Sequence, residues 1–158
     1  MTRRTGTAAA LLIALVGIAA WTRPDMTVLH ADPSLALGAR TPVPVPPGVL
    51  STLRQACFDC HSNETRWPLY SNVPIASWLI AIDVKKGRGQ MNFSQWGHYS
   101  AFDRADMLDK ACEMISKREM PLWQYRLLHP EARLTGDQVT ALCTWAHAEA
   151  DRLVQGGS

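Results

Sequence analysis

The 158-residue chain has only one C-x-x-C pair and no H-x-x-x-H, so the second ligand pair that a structural zinc site needs is missing. No segment makes a convincing strand, which removes the βαβ context of a thioredoxin-like dithiol. Basic runs are absent too. The 16 Lys and Arg stand against 14 Asp and Glu, a nearly neutral balance without the electrostatic footprint of a nucleic-acid binder. There is no internal repeat and no low-complexity tract. No paired carboxylates suggest acid–base catalysis, and no His–Arg pair has the local spacing of a peroxidase distal site.

What is present is Cys57-Phe58-Asp59-Cys60-His61. C-x-x-C-H is the attachment sequence of a c-type haem. Two thiols three residues apart add across the two vinyl groups of one porphyrin edge, and the histidine that comes next is brought under the iron as proximal ligand. An export signal accompanies the motif: Arg3 and Arg4 precede an apolar core, Ala8 to Ala20. Haem c is attached beyond the bacterial inner membrane, so the signal and the motif support one another and point to a periplasmic protein. Ala19 or Ala20 offers a small residue for cleavage. The charge-free run from Thr5 to Thr22, with Trp21 as an interfacial aromatic, favours a retained inner-membrane anchor instead.

Residues 1–22 thus read as signal peptide or anchor, 23–47 as a Pro-rich tether and 48–155 as one small domain. TPVPVPP favours an extended spacer. The domain reads as all-α, with about four short helices around one covalently attached haem. The first follows Pro46-Pro47-Gly48 and runs into the motif. The second follows Pro74, with Ile75, Trp78, Leu79 and Ile82 recurring at helical spacing and Gly87 and Gly89 as its stop. The third starts at Ser100, capped with Asp103, and carries Ala101, Ala105, Leu108, Cys112 and Ile115. The fourth starts at Thr135, capped with Gln138, and carries Val139, Leu142, Cys143, Ala146 and Leu153. Arg118 to Arg133 reads as non-helical. Cys112 and Cys143 are either a disulfide or two buried thiols.

A helix entering CxxCH, Met120-Pro121 in a late loop and a final helix, Leu134 to Trp145, resemble class I cytochromes c. Three longer segments, CFDCHSNETRWPLYSNVPIASWLIAIDVKKGRGQMNFSQW, CEMISKREMPLWQY and LLHPEARLTGDQVTALCTWA, resemble the bacterial haem-binding domain family. The resemblance implies a small exported haem c protein and leaves its partners undefined.

The iron's second axial ligand has candidates in Met91, Met107, Met114, Met120, His98 and His129. Met120 is favoured, because Pro121 keeps it out of helix and it lies about sixty residues after His61 with the last helix close behind. Arg66, the Trp67 indole N–H and the Tyr70 hydroxyl are candidates for pairing the haem propionates. Trp78, Trp96, Trp123 and Tyr125 read as core, Asp59 and Glu64 as solvated, and His30 and His147 as surface or tether residues. One-electron transfer to a periplasmic or membrane redox partner is the leading function, an electron carrier rather than a catalyst. A small peroxidase or gas sensor with an open axial site, and a haem-stapled interaction module of a membrane complex, are the alternatives.

Overall fold

Capping chemistry and helical periodicity account for most of the architecture. The computed structural model describes residues 2–22, 24–27, 29–38 and 45–156. Among them the chain is all-α: α1 (Thr2–Trp21), α2 (Pro47–Ala56), α3 (Phe58–His61), α4 (Ala76–Gln90), α5 (Ala101–Ser116), α6 (Trp123–Leu128) and α7 (Gly136–Gly156), with no strand. Three 3-10 turns, Leu69–Asn72, Phe93–His98 and Pro130–Ala132, join them. The four expected helices are present as α2 with α3, α4, α5 and α7. The stretch expected to be non-helical holds α6 and the last 3-10 turn.

Both capping boxes form. Ser100 Oγ accepts from the Asp103 N–H at 3.1 Å and donates to the Asp103 carboxylate at 2.7 Å. Thr135 Oγ1 accepts from the Gln138 N–H while the Gln138 side chain accepts from the Thr135 N–H, at 3.2 and 2.9 Å. α5 ends where Arg118 takes a positive φ of 60°, and the Glu119 N–H reaches back to the Met114 carbonyl. That turn ejects the chain into the segment carrying Met120, whose peptide bond to Pro121 is cis.

α5 and α7 form the centre of the domain. Asp109 meets His147, and Cys112 is bonded to Cys143, so the two helices run antiparallel. Ala105, Leu108, Cys112 and Ile115 of α5 are buried, as are Leu142, Ala146 and Leu153 of α7. This is the apolar stripe that a 3.6-residue period dictates. Val49 and Leu53 of α2, with Phe93 and Trp96, complete the core.

Two expectations fail here. The segment 23–47 is not simply a tether, because Leu37 and Val45 belong to the core. The Leu37 N–H donates to the Phe93 carbonyl and the Gly97 N–H to the Leu35 carbonyl, both at 2.8 Å. This part of the chain turns and docks on the Phe93–His98 element rather than running extended. Residues 39–44, which hold most of the expected polyproline spacer, lie outside the described residues. The apolar residues that recur at helical spacing in the second helix are also not the side it buries. Ile75, Trp78, Leu79 and Ile82 are exposed, and α4 is buried through Ser77, Val84 and Gly87. This helix has apolar residues on both sides, so periodicity could not single out the covered one.

α1 presents Leu11, Leu12, Ile13 and Leu15 to the outside. Among the described residues no helix is long and apolar enough to cross a membrane, so the anchor expectation gains nothing from α1.

The Cys112–Cys143 bond closes a loop of 31 residues, which in the chain-entropy account is worth about 3–4 kcal/mol. Replacing both cysteines by serine is expected to lower the unfolding free energy by about that amount. Urea unfolding of the two proteins, with equal m-values, is the measurement; equal midpoints would mean that the bond contributes nothing.

Candidate functional site

The motif lies on one helical turn. At about 100° per residue, Cys57, Cys60 and His61 fall on one side of α3 and Phe58 and Asp59 on the other. The second side faces protein. Phe58 is buried, its ring stacked on Phe93 at 5.1 Å, with the Arg54 guanidinium over its outer face at 5.0 Å. Cys57 and Cys60 are free thiols, and burial pushes each of them up to about 12. The pair is therefore neutral and undissociated.

The last turn of α4 crosses this turn and orients His61. A Cβ on Gly87 would stand 2.6 Å from the Cys60 carbonyl oxygen, so only glycine lets the two backbones meet this closely. Gly87 does not stop the helix as expected; α4 continues to Gln90. One residue further, the Met91 carbonyl lies 3.2 Å from His61 Nδ1. A carbonyl can only accept, so Nδ1 carries the proton and the Nε2 lone pair is left for a metal. Burial holds the imidazole below its ordinary pKa, which keeps it neutral.

Residues 62–65 read as a polar loop, but the structure buries Ser62, Asn63 and Thr65. The Asn63 N–H donates to Ser94 Oγ at 3.0 Å, and Asn92 donates its amide to Asn63 Oδ1 at 2.8 Å. Arg88 donates to the Ser62 carbonyl at 2.8 Å and to Thr65 Oγ1 at 2.9 Å. A buried polar group without a partner is costly, so these groups, satisfied by one another, lock the loop. Sequence reasoning missed Asn63, Arg88, Asn92 and Ser94. Asn and Ser signal loops locally, and nothing local indicates that two loops will satisfy each other.

Asp59 is a further correction. Expected to be solvated, it is 7% exposed. Its Oδ1 accepts from the Arg66 N–H and Nε–H, both at 3.2 Å, and its Oδ2 from the Tyr125 hydroxyl at 2.7 Å. Arg66 in turn is held above its ordinary pKa by that carboxylate. Burial, reinforced by the same bond, raises the Tyr125 phenol. Glu64 is on the surface, paired with Arg54 at 3.1 Å. Trp96 is core as expected, whereas Trp78 and Trp123 are exposed.

The propionate and ligand candidates divide in the same way. Arg66 is committed to Asp59, and the Tyr70 hydroxyl lies 2.6 Å from His129 Nε2. The Trp67 indole N–H is buried without a partner. His129 is used at both nitrogens, since Nδ1 meets Glu131 at 2.9 Å. Met91 is buried in the core, with its carbonyl behind His61. Met120 packs partly buried against the same core cluster as Cys57, and its N–H donates to the Met114 carbonyl at 3.2 Å. His30 and His147 are exposed, as expected.

Among the described residues no three His, Cys, Asp or Glu side chains converge on a point. A protein-only metal centre therefore has no ligand set here. A haem iron takes four ligands from its porphyrin and asks the protein only for axial ones. An all-helical domain with a free dithiol, an imidazole whose Nε2 is kept open and a buried indole N–H without a partner fits that group. A family model described as the haem-binding domain matches residues 27–148, and the chain belongs to this family. No curated protein and no solved structure matches it. The match begins at residue 27, before the expected domain start, and includes the docked Leu35–Leu37 turn.

Gly87→Ala is expected to force α4 away from the C-x-x-C-H turn and cost about 1–3 kcal/mol. Gly89→Ala, where a Cβ meets nothing within 4 Å, is expected to be neutral or slightly stabilising. Thermal unfolding of the two variants compares them directly, and equal melting temperatures would contradict the close approach.

Proposed function

We propose that the chain is an exported monohaem c-type cytochrome that passes single electrons between periplasmic or membrane redox partners. Cys57 and Cys60 would hold the haem through thioethers, with His61 and Met120 as axial ligands. The observation that carries this reading is the His61 imidazole, fixed through Nδ1 to the Met91 carbonyl beside two free thiols. The preparation is that of a metal ligand whose orientation is set from behind.

Met120 is supported by its place in the loop after α5 and by what is seen at two of its rivals, His129 and Met91. His129 has no free nitrogen, and Met91 is buried in the core with its carbonyl committed to His61 Nδ1. A thioether is soft and neutral, so it favours ferrous iron relative to a second imidazole and raises the potential. The buried Trp67 N–H is the donor best suited to a propionate oxygen, since Arg66 and Tyr70 already have partners. The uncovered apolar residues of α4, Ile75, Trp78, Leu79 and Ile82, form a strip of the kind that marks a binding surface. Arg3 and Arg4 ahead of the apolar run support export, and export supplies the compartment in which haem c is attached. The bound haem would supply the redox step; the protein would orient its axial ligands and exclude water from the iron.

Haem is expected to stay with the polypeptide through acid–acetone extraction and to be lost from Cys57→Ala or Cys60→Ala. Intact haem extracted from the wild type would rule out covalent attachment. Met120→Ala is expected to lose the far-red sulfur-to-iron band of the ferric protein and to bind carbon monoxide when reduced, while Met91→Ala keeps the band. A band that survives in Met120→Ala and vanishes in Met91→Ala would move the assignment to Met91. Rapid carbon monoxide binding by the wild type would favour an open site and a sensor or peroxidase.

A further inference from the structure

α6 has no buried residue of its own, so apolar burial does not hold it on the domain. Polar contacts do. Tyr125 donates to Asp59 Oδ2 across 66 residues of chain. Its ring stacks on His129 with centroids 4.2 Å apart and planes 14° from parallel. His129 is in turn bonded to Tyr70, on the 3-10 turn beyond the attachment loop. With the Tyr70 hydroxyl donating to Nε2, the Nδ1 proton is left for Glu131, and both phenols and both His129 nitrogens have partners. Asp59 is likewise fully used, with one oxygen on Arg66 and the other on Tyr125.

The segment between Met120 and Tyr125 is therefore fastened at two ends. One end is the terminus of α5, where the Met120 N–H meets the Met114 carbonyl. The other is the carboxylate inside the C-x-x-C-H motif itself. We infer that Asp59 and Tyr125 are a positioning pair, whose bond closes residues 120–128 against the attachment turn and so controls access to the sixth position of the iron. This rests on the reading of His61 and Met120 as axial ligands. Asp59 projects from the side of the turn opposite the thiols and the imidazole, so its part is to hold the segment rather than to meet the haem. The pair acts through the segment that it holds. Without the phenol hydroxyl, that carboxylate oxygen loses its partner and α6 keeps the Tyr70–His129 bond but no tie to the C-x-x-C-H turn, so the Met120 segment is held less closely against it.

The test compares the purified haem-loaded wild type with Tyr125→Phe, which keeps the ring, Asp59→Asn, which keeps an acceptor oxygen, and Leu153→Ala, which loosens the core without touching the Asp59–Tyr125 bond. Two quantities are read: the rate of carbon monoxide binding to the reduced protein and amide hydrogen exchange over residues 120–128. Tyr125→Phe is expected to raise both by about tenfold, the scale of one lost bond to a charged group. Asp59→Asn is expected to raise them less, and Leu153→Ala to leave carbon monoxide binding unchanged. An unchanged rate in Tyr125→Phe, with or without faster exchange, overturns the inference; so does an equal increase in Leu153→Ala. A wild type with no covalent haem or no sulfur-to-iron band sinks the ligand reading instead. Exchange still judges the tie in that case: faster exchange in Tyr125→Phe supports it and unchanged exchange overturns it.

Discussion

The crossing of α4 over the C-x-x-C-H turn is the contact on which the remaining arrangement depends. Gly87 allows the helix to come down onto the Cys60 carbonyl, and that approach delivers the Met91 carbonyl to His61 Nδ1. A side chain at position 87 would lift the end of α4 and move this acceptor away. The imidazole would then lose both its tautomer and its orientation. Backbone placement thus decides the chemistry of a side chain.

Around that crossing the protein places buried polar groups rather than more apolar ones. Ser62, Asn63, Thr65, Asn92 and Ser94 are buried and bonded to one another or to neighbouring backbone. Such a network costs stability if any member is missing, and when complete it specifies one arrangement. The apolar work is done elsewhere, by α5 against α7. Their disulfide brackets the residues from 113 to 142, so the chain carrying Met120 leaves and re-enters a cross-linked pair of helices. Membership of the haem-binding domain family gives this division a purpose: a stable helical pair on one side and a firmly held C-x-x-C-H turn on the other.

Much of this is legible in the order of residues alone. Ser100 with Asp103 and Thr135 with Gln138 are short-range signals, and both form as expected because a cap depends on residues three apart. The stripes of α5 and α7 are equally legible, since each helix has one clear apolar side. α4 is not, having apolar residues on two sides. The choice between them is made by the small Ser77 and Gly87, which permit closer packing than Trp78 or Leu79. The Arg118–Arg133 stretch hides α6 because that helix buries nothing and so leaves no apolar period to read.

By itself the sequence determined the features that arise between neighbours in the chain: the C-x-x-C-H turn, the helix starts, the main apolar stripes and the family. Tertiary structure alone decided that Asp59 is an anchor rather than a solvated acid, and that Cys112 and Cys143 are paired. It alone decided that Leu37 is core and that His129 is already occupied. Each of these depends on a partner between 31 and 66 residues away. Propensity and periodicity act over a few residues, whereas a buried polar or apolar group takes whichever distant partner the packed helices bring to it.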